Sequence, residues 1–422
     1  MDNETITMKS QLRISLPIAF ERLINILMTL VDTLVIALVG TKELAALGAM
    51  TVIIDLMQMS IQTVNVSNNT LVAKCIGENN IEKEKLTIGN SIILTIGISI
   101  ITMVVIAFIQ PVFPSLFKVD KIAITYLTIR LFGFIQNGLV TVLSGYHRTI
   151  GNQKNILRLR VFAVLLNLIL DVIAVTHGYG IVGVALATVI IETLLAIYLI
   201  LYSWGKVKMK LVKECYLDVV RLFKWNFFER IISKIDNFAF NLIVARMGNL
   251  EYAVHIILLQ ISTIYESFTQ GFGDGITISV GIASGKKDEN NMIKVRNVSN
   301  KLIRYISFIL PGIIMMISFV IMHLSLKDRE LQNIFLIVSP LFLIGCYIIT
   351  SATYYFSVLR GLRDFKFLAN RNLISSIIKI VVSLLLSITP LGIVGVWMGY
   401  LMYGISQKHL SKMRYKKISV TE

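Results

Sequence analysis

Apolar runs long enough to cross a membrane recur along the whole chain, and they constrain its fold more than any other feature. Each run has about 18 to 25 residues, which as a helix covers the ~30 Å hydrocarbon core of a bilayer. The mean hydropathy is +0.74, and only 16% of the residues are charged. A spanning segment must satisfy its own backbone hydrogen bonds, and the runs lack the alternation of strands, so they predict a helical bundle.

The runs predict an all-α integral membrane protein with twelve transmembrane helices. Turn sequences such as QPVFP (110–114), THGYG (176–180) and TPLG (389–392) separate several of them. The predicted helices cover residues 12–39, 45–74, 87–110, 121–144, 156–176, 181–203, 221–247, 252–284, 297–323, 330–359, 367–389 and 391–407.

Lysine and arginine residues concentrate in alternate connections between these helices. With the N-terminus placed inside, thirty of the 41 fall in inner segments and six in outer ones. Cytoplasmic connections are enriched in such residues, which predicts a multi-pass protein of the cell membrane with both termini in the cytoplasm. The same enrichment explains the net charge of +16, so nucleic acid is not an expected partner.

Catalytic and metal-ligand patterns are absent from the sequence. The three cysteines lie far apart, the five histidines are scattered, and neither a CxxC nor an HExxH motif occurs. We therefore expect a protein that is not an enzyme and needs no cofactor.

The chain contains an internal repeat. ERLINILMTLVDTLVIALVG (21–40) aligns with ERIISKIDNFAFNLIVARMG (229–248) at an offset of 208, and GIVGV at 180–184 recurs at 392–396. We infer two pseudo-symmetric lobes of six helices each, an N-lobe (1–203) and a C-lobe (221–422), joined by a cytoplasmic linker (204–220). An even number of helices per lobe makes the repeat parallel, and such lobes commonly move around a central cavity.

Acidic residues within the predicted helices differ between the two lobes. The aligned pairs are Asp32 with Phe240, Asn167 with Lys379, Asp171 with Ser383, and Thr188 with Tyr400. Duplicated packing does not require this asymmetry, whereas a site located in one lobe would produce it.

The four N-lobe residues of these pairs lie at similar depth. Counted from the outer turns, Asp32 is about 12 Å, Asp171 about 10 Å and Thr188 about 13 Å deep, at 1.5 Å per residue. Asn167 lies one turn below Asp171 on the same helix face. Carboxylate, amide and hydroxyl oxygens at one level suit a hard cation such as Na⁺ or a shared proton.

The sequence resembles the multidrug and toxic compound extrusion (MATE) transporters over nearly its full length. The resemblance is carried, in order, by LP (16–17), VDTLVIALVG (31–40), LVAKCIGENNIEKEK (71–85), GYHRTIGNQKN (145–155), NLILD (167–171), GIVGVALATVI (180–190) and VLRGLRDFK (358–366). It implies an antiporter that is embedded in the lipid bilayer. Such a protein exports small organic compounds, including cationic ones, in exchange for Na⁺ or H⁺. We expect it to act as a monomer.

Within this family the sequence is more similar to the DinF-like branch. That branch carries an N-lobe cation site of two aspartates, an asparagine and a threonine, which here are Asp32, Asn167, Asp171 and Thr188. The NorM-like branch adds acids on helices 7 and 10, but the segment YIITSATYYFSVLRG (347–361) of helix 10 here contains none. An alternative within the superfamily is a flippase for a lipid-linked saccharide or peptide precursor, although twelve helices and an acidic N-lobe count against it.

Other charged residues in the predicted helices are candidates for substrate binding or gating: Asp55, Glu192, Glu229, Lys379 and Glu266. Glu229 has an equivalent in Glu21, and its repetition in both lobes favours structural pairing or snorkelling. An isolated Lys379 would be costly within the membrane, so we expect Asp236 or Glu266 as its partner. GFGDG (271–275) is interpreted as a flexible or closely packed helical segment.

Overall fold

The computed structural model describes residues 7–325 and 329–421, and nearly all of them are helical. The first half of the chain forms α1 (Met8–Ala37), α2 (Thr41–Gly77), α3 (Ile81–Ile109), the 3₁₀ turn Gln110–Val112, α4 (Phe113–Phe117), α5 (Ile122–Phe132), α6 (Phe134–Thr149), α7 (Gln153–Thr176) and α8 (Gly180–Tyr202). The second half forms α9 (Lys213–Ala245), α10 (Asn249–Lys286), α11 (Glu289–Ser325), α12 (Arg329–Gly361), α13 (Phe365–Ser387) and α14 (Gly392–Thr421).

The long helices follow the predicted order, and the all-helical fold is confirmed. Within the described ranges, eight helices are long and apolar enough to cross a membrane, and the bent pair α5–α6 adds a ninth. The remaining long helices, α9, α10 and α14, are less apolar because they carry charged and polar residues. Together these segments correspond to the twelve predicted spans.

Several predicted boundaries differ from the structure, and the fourth span, the linker and the last helix are examples. The helix predicted at 121–144 is divided into α5 and α6, which meet at an angle of 46°, and α6 continues to Thr149. Half of the predicted linker is helical, because α9 begins at Lys213, and the last helix continues to Thr421 instead of ending at 407. Hydropathy locates only the apolar part of a helix, whereas backbone hydrogen bonding continues into polar sequence.

Helices α7 and α13 turn their polar residues inward. On α7 the buried stripe contains Ala163, Asn167 and Asp171, while Leu165 and Ile169 are exposed. On α13 the buried stripe contains Asn372, Ser375, Ser376, Lys379 and Ser383. In a membrane the apolar face can contact lipid, so the polar groups gather inside the bundle, where they find partners.

The chain forms two compact units, one of Phe20–Phe223 and one of Lys224–Glu422 together with the beginning of α1 through Ala19. In the first unit, Met50 and Leu127 belong to one apolar core and Val142 to another. In the second, Trp397 belongs to one core and Phe272 to another. Each unit therefore has its own packed interior.

Glycines at equivalent repeat positions begin the last helix of each half. Gly180 begins α8 with φ +51° and Gly392 begins α14 with φ +52°. A residue with a Cβ is strained in this left-handed conformation, so glycine permits the same sharp turn twice. The repeat therefore extends to backbone geometry.

The GFGDG segment is a site of close packing on α10. A Cβ at Gly271 would lie 2.6 Å from the Ala19 backbone nitrogen, and one at Gly275 would lie 2.7 Å from Ser15 Cα. The two glycines are four residues apart and therefore on one helix face. They allow the beginning of α1 to contact α10 backbone to backbone.

Candidate cation site

Asp32 and Asp171 are the acids of the candidate site, and two different helices supply them. Asp32 lies on α1 and is half-buried, whereas Asp171 lies on α7 and is fully buried. The two acids are close enough to repel each other electrostatically. Two negative charges held together away from bulk water repel strongly unless a proton or a cation lies between them.

Asn167 connects the two acids. Its Nδ2 donates to Asp171 Oδ2 at 2.6 Å and to Asp32 Oδ1 at 3.2 Å. The bond to Asp171 spans one turn of α7, as the four-residue spacing requires. The amide thereby holds both carboxylates in a single cluster.

Two oxygens of this cluster have no donor among the described residues. They are Asn167 Oδ1 and Asp171 Oδ1, and both belong to side chains that are at most 1% exposed. Buried acceptors without a donor are costly and rare in folded proteins. A bound cation, or a proton shared between the carboxylates, would supply the missing interaction.

Thr188 is buried on α8, but it does not join this hydrogen-bonded group within the described residues. Its hydroxyl donates to the Val184 carbonyl of its own helix at 3.0 Å. Hydrogen bonds thus link three of the four predicted residues, and the Thr188 hydroxyl donates within its own helix, as a threonine in a helix readily does.

Glu192, four residues after Thr188, pairs with Arg130. Arg130 Nη2 lies 3.4 Å from Glu192 Oε1, both side chains are 11% exposed, and Asn137 Nδ2 donates to the same oxygen at 2.9 Å. Arg130 also attracts Asp32 and Asp171 electrostatically. Arg130 and Asn137 were not predicted as site residues from the sequence, although an arginine within the membrane requires an acidic partner and could have indicated one.

The C-lobe has a different buried ion pair. Lys379 Nζ lies 2.9 Å from Asp236 Oδ2, and both side chains are 3% exposed. Of the two partners expected for Lys379, the structure therefore selects Asp236. Glu266 is half-buried instead and accepts hydrogen bonds from Ser262 at 2.8 Å and from Tyr400 at 3.2 Å.

Glu21 and Glu229 both form ion pairs, as their repetition indicated. Arg148 Nη1 lies 2.6 Å from Glu21 Oε1. In the other half, Glu229 lies 3.9 Å from Arg360 and 3.8 Å from Arg371. Arg148 and Arg360 are themselves 212 residues apart, the offset of the later repeat, so the same pair of positions is in contact in both halves.

Asp55, the remaining candidate, is exposed on α2. It therefore differs from Glu229, Lys379 and Glu192, which are buried in ion pairs. Of the five residues suggested for substrate binding or gating, only Asp55 and Glu266 present partly or fully accessible carboxylates.

The family model described as MatE matches residues 17–173 and 227–385. The chain belongs to the MatE family. Because the matched ranges cover most of the chain in two successive copies, they also agree with the internal repeat. The chain is therefore a membrane transporter and not an enzyme, as the sequence predicted.

Two curated relatives are multidrug resistance proteins by name. The chain is 23% identical over 346 residues to a probable multidrug resistance protein NorM of Pseudomonas putida, covering 77% of this chain and 72% of that protein. It is 27% identical over 228 residues to a probable multidrug resistance protein YpnP of Bacillus subtilis, covering 52% of this chain and 49% of YpnP. Similarity to the DinF-like branch stays a prediction.

Solved structures share the fold. A MOP superfamily transporter from Pyrococcus furiosus, described with a binding pocket of reverse polarity, has a TM-score of 0.89 at 18% identity and covers 98% of this chain and 97% of its own. A multidrug resistance MATE family transporter in an outward-facing conformation has a TM-score of 0.87 at 18% identity, with coverages of 97% and 96%. At this identity the likeness extends to the fold alone.

Proposed function

We propose that this transporter is a cation-coupled antiporter that exports small organic compounds across the cell membrane, with both termini in the cytoplasm. The observation that supports it best is the cluster of Asp32, Asn167 and Asp171, with two buried oxygens that have no donor in the described part of the chain. The repeat-related positions of the other half have no acid at all. The names of the multidrug resistance relatives support organic compounds as the cargo.

The coupling cation is Na⁺ or H⁺. Two carboxylates and an amide are hard oxygen ligands, which suit Na⁺, and a close carboxylate pair also readily shares a proton. Thr188 is retained as a candidate ligand, since its oxygen accepts no hydrogen bond from the protein groups named above. No resident cofactor is required in this mechanism, because the cation is a transported substrate.

Exchange follows from mutual exclusion of the cation and the cargo. Cation binding neutralises the acids and favours one conformation of the transporter, whereas cargo binding favours the other, so each weakens the affinity for the other by the same factor. Asp55 and Glu266 are the accessible carboxylates that we propose for contact with a cationic cargo.

The experiment uses purified protein in proteoliposomes with Na⁺ and pH gradients imposed independently. We expect export to be driven by one of the two gradients, and expect Asp32→Asn and Asp171→Asn each to abolish that dependence. Asp120→Asn is the matched control, because Asp120 is exposed outside the cluster. Full gradient-driven transport in both cluster variants would refute the proposal, and transport of only lipid-linked precursors would support a flippase instead.

A further inference from the structure

Lys379 is surrounded by groups that bind cations. Its ammonium lies 2.9 Å from Asp236 Oδ2 and 3.4 Å from Asn237 Oδ1. It also lies 4.5 Å from the centre of the Phe240 ring and 5.3 Å from that of Tyr403. Carboxylate, amide oxygen and aromatic faces together form a cation site, and here the cation is a side chain of the protein.

Two residues of this site occupy repeat positions of the N-lobe cluster. Lys379 aligns with Asn167 and Phe240 aligns with Asp32. Asn167 contacts Asp32 at 3.2 Å, and Lys379 contacts the Phe240 ring at 4.5 Å, so the equivalent positions meet in both lobes. The two sites are therefore alternative versions of one structural frame.

The acid of the C-lobe site is displaced by one helical turn. Asp236 precedes Phe240 by four residues on α9, so the two lie on one helix face. Lysine has a longer side chain than asparagine, and from the position equivalent to Asn167 its ammonium reaches that carboxylate. Glu266 adds a second, more distant attraction. The C-lobe site thus also contains a carboxylate, that of Asp236. The positive charge that balances it is the ammonium of Lys379, which is part of the protein.

A buried carboxylate requires a positive partner, and Lys379 supplies one that cannot dissociate. Among the residues that the structure describes, no lysine forms an ion pair with the two aspartates of the N-lobe cluster, whereas Lys379 forms one with Asp236 at 2.9 Å. We therefore infer that the C-lobe site has a fixed cation, the Lys379 ammonium, whereas the N-lobe cluster binds an exchangeable one.

We propose that the C-lobe contains a second cation site, formed by Asp236, Asn237 and Phe240, which the Lys379 ammonium fills permanently. The ligands that fit this site are small primary ammonium ions. Truncation of the Lys379 side chain would allow such an ion to bind from solution. The part of this inference that assigns exchange to the N-lobe rests on the proposed function, but the existence of the C-lobe site does not.

The test is chemical rescue of Lys379→Ala by n-propylammonium, which replaces the atoms that the substitution removes. We expect the variant to unfold at a lower temperature than the parent protein, and n-propylammonium to restore most of the loss in a saturable manner, as for any ligand that binds only the folded state. Tetramethylammonium at equal ionic strength is the control, because it has no N–H donor for Asp236.

The measurement is made in the full-length protein that also carries Asp32→Asn and Asp171→Asn, so that the N-lobe cluster does not contribute. Addition of Asp236→Asn should abolish the rescue. Equal rescue by tetramethylammonium, rescue that persists with Asp236→Asn, or no saturable response in the folded variant would each overturn the proposal.

Lys379→Gln and the exchanged pair Asp236→Lys with Lys379→Asp provide the test if the alanine variant does not fold. We expect the protein with the exchanged pair to be more stable than either single variant, and its unfolding temperature not to change with n-propylammonium. If the exchanged pair is no more stable than the single variants, the result would count against a filled site. Failure of the proposed function appears separately, as gradient-driven transport that survives Asp32→Asn and Asp171→Asn.

Discussion

Asn167 donates to Asp171 across one turn of α7 at a distance of 2.6 Å. The same nitrogen reaches Asp32 on α1 at 3.2 Å. One amide therefore organises two acids that are distant in the sequence, and the remaining oxygens of the cluster are left for a ligand.

Replacement of Asn167 by leucine should remove both hydrogen bonds without loss of side-chain volume. We expect destabilisation of about 1–3 kcal/mol, because two carboxylate oxygens lose a buried donor, together with loss of gradient dependence in transport. Thermal unfolding and proteoliposome transport provide the measurements. Asn155 is an exposed asparagine in the first turn of the same helix, so Asn155→Ala should change neither the stability nor the gradient dependence. An Asn167→Leu variant as stable as the parent protein would contradict the prediction.

Removal of Arg130 should cost more stability than removal of Glu192. Arg130→Ala leaves Glu192 buried with a single amide donor, and loss of one partner of a buried pair typically costs about 3–5 kcal/mol. Glu192→Gln keeps an acceptor for Asn137 and should cost less. A double-mutant cycle measures the coupling between Arg130 and Glu192.

The matched control for this cycle is Arg158→Ala, because Arg158 is exposed on α7 and should tolerate the change. Additive effects of Arg130→Ala and Glu192→Gln would show that the two side chains do not stabilise each other.

The repeated ion pairs at Glu21 and Glu229 should both stabilise the protein, but to different extents. Arg148→Ala isolates Glu21, whose side chain is 2% exposed, and should destabilise the protein by about 3–5 kcal/mol. Arg360→Ala should cost less, because Arg371 lies 3.8 Å from Glu229 and compensates its charge. The unfolding temperatures of Arg148→Ala and Arg360→Ala show which variant loses more stability. A greater loss of stability in Arg360→Ala would contradict the prediction.

Gly271→Ala should destabilise the protein by about 1–3 kcal/mol, the typical cost of overpacking. The added Cβ would collide with the backbone of Ala19 on α1, which cannot rotate away as a side chain can. Gly312→Ala is the control, since it also lies within a helix but nothing lies within 4 Å of its Cβ position. We expect that change to be neutral or stabilising, since alanine favours a helix more than glycine does by about 1 kcal/mol. Equal unfolding temperatures for the two variants would exclude close packing at Gly271.

The fold and the principal cluster could be predicted from the sequence because both depend on short-range rules. Lipid requires helices of a certain length, and the four-residue spacing of Asn167 and Asp171 defines one face of α7. Residue counts from the outer turns then placed Asp32 at a similar depth, and the repeat alignment paired Lys379 with Asn167.

The choice of partners depended on tertiary packing. From the sequence alone, Lys379 had two acids as alternative partners, Thr188 was grouped with the aspartates, and Arg130 was not assigned to Glu192. The structure joined Lys379 to Asp236, satisfied the Thr188 hydroxyl on its own helix, and brought Arg130 from α5 to Glu192 on α8. Sequence by itself determined which side chains had to leave the lipid, because their transfer energy is a local property. Which groups they meet is decided by how the helices pack, because a charge inside the bundle pairs with whichever opposite group lies within a few ångströms.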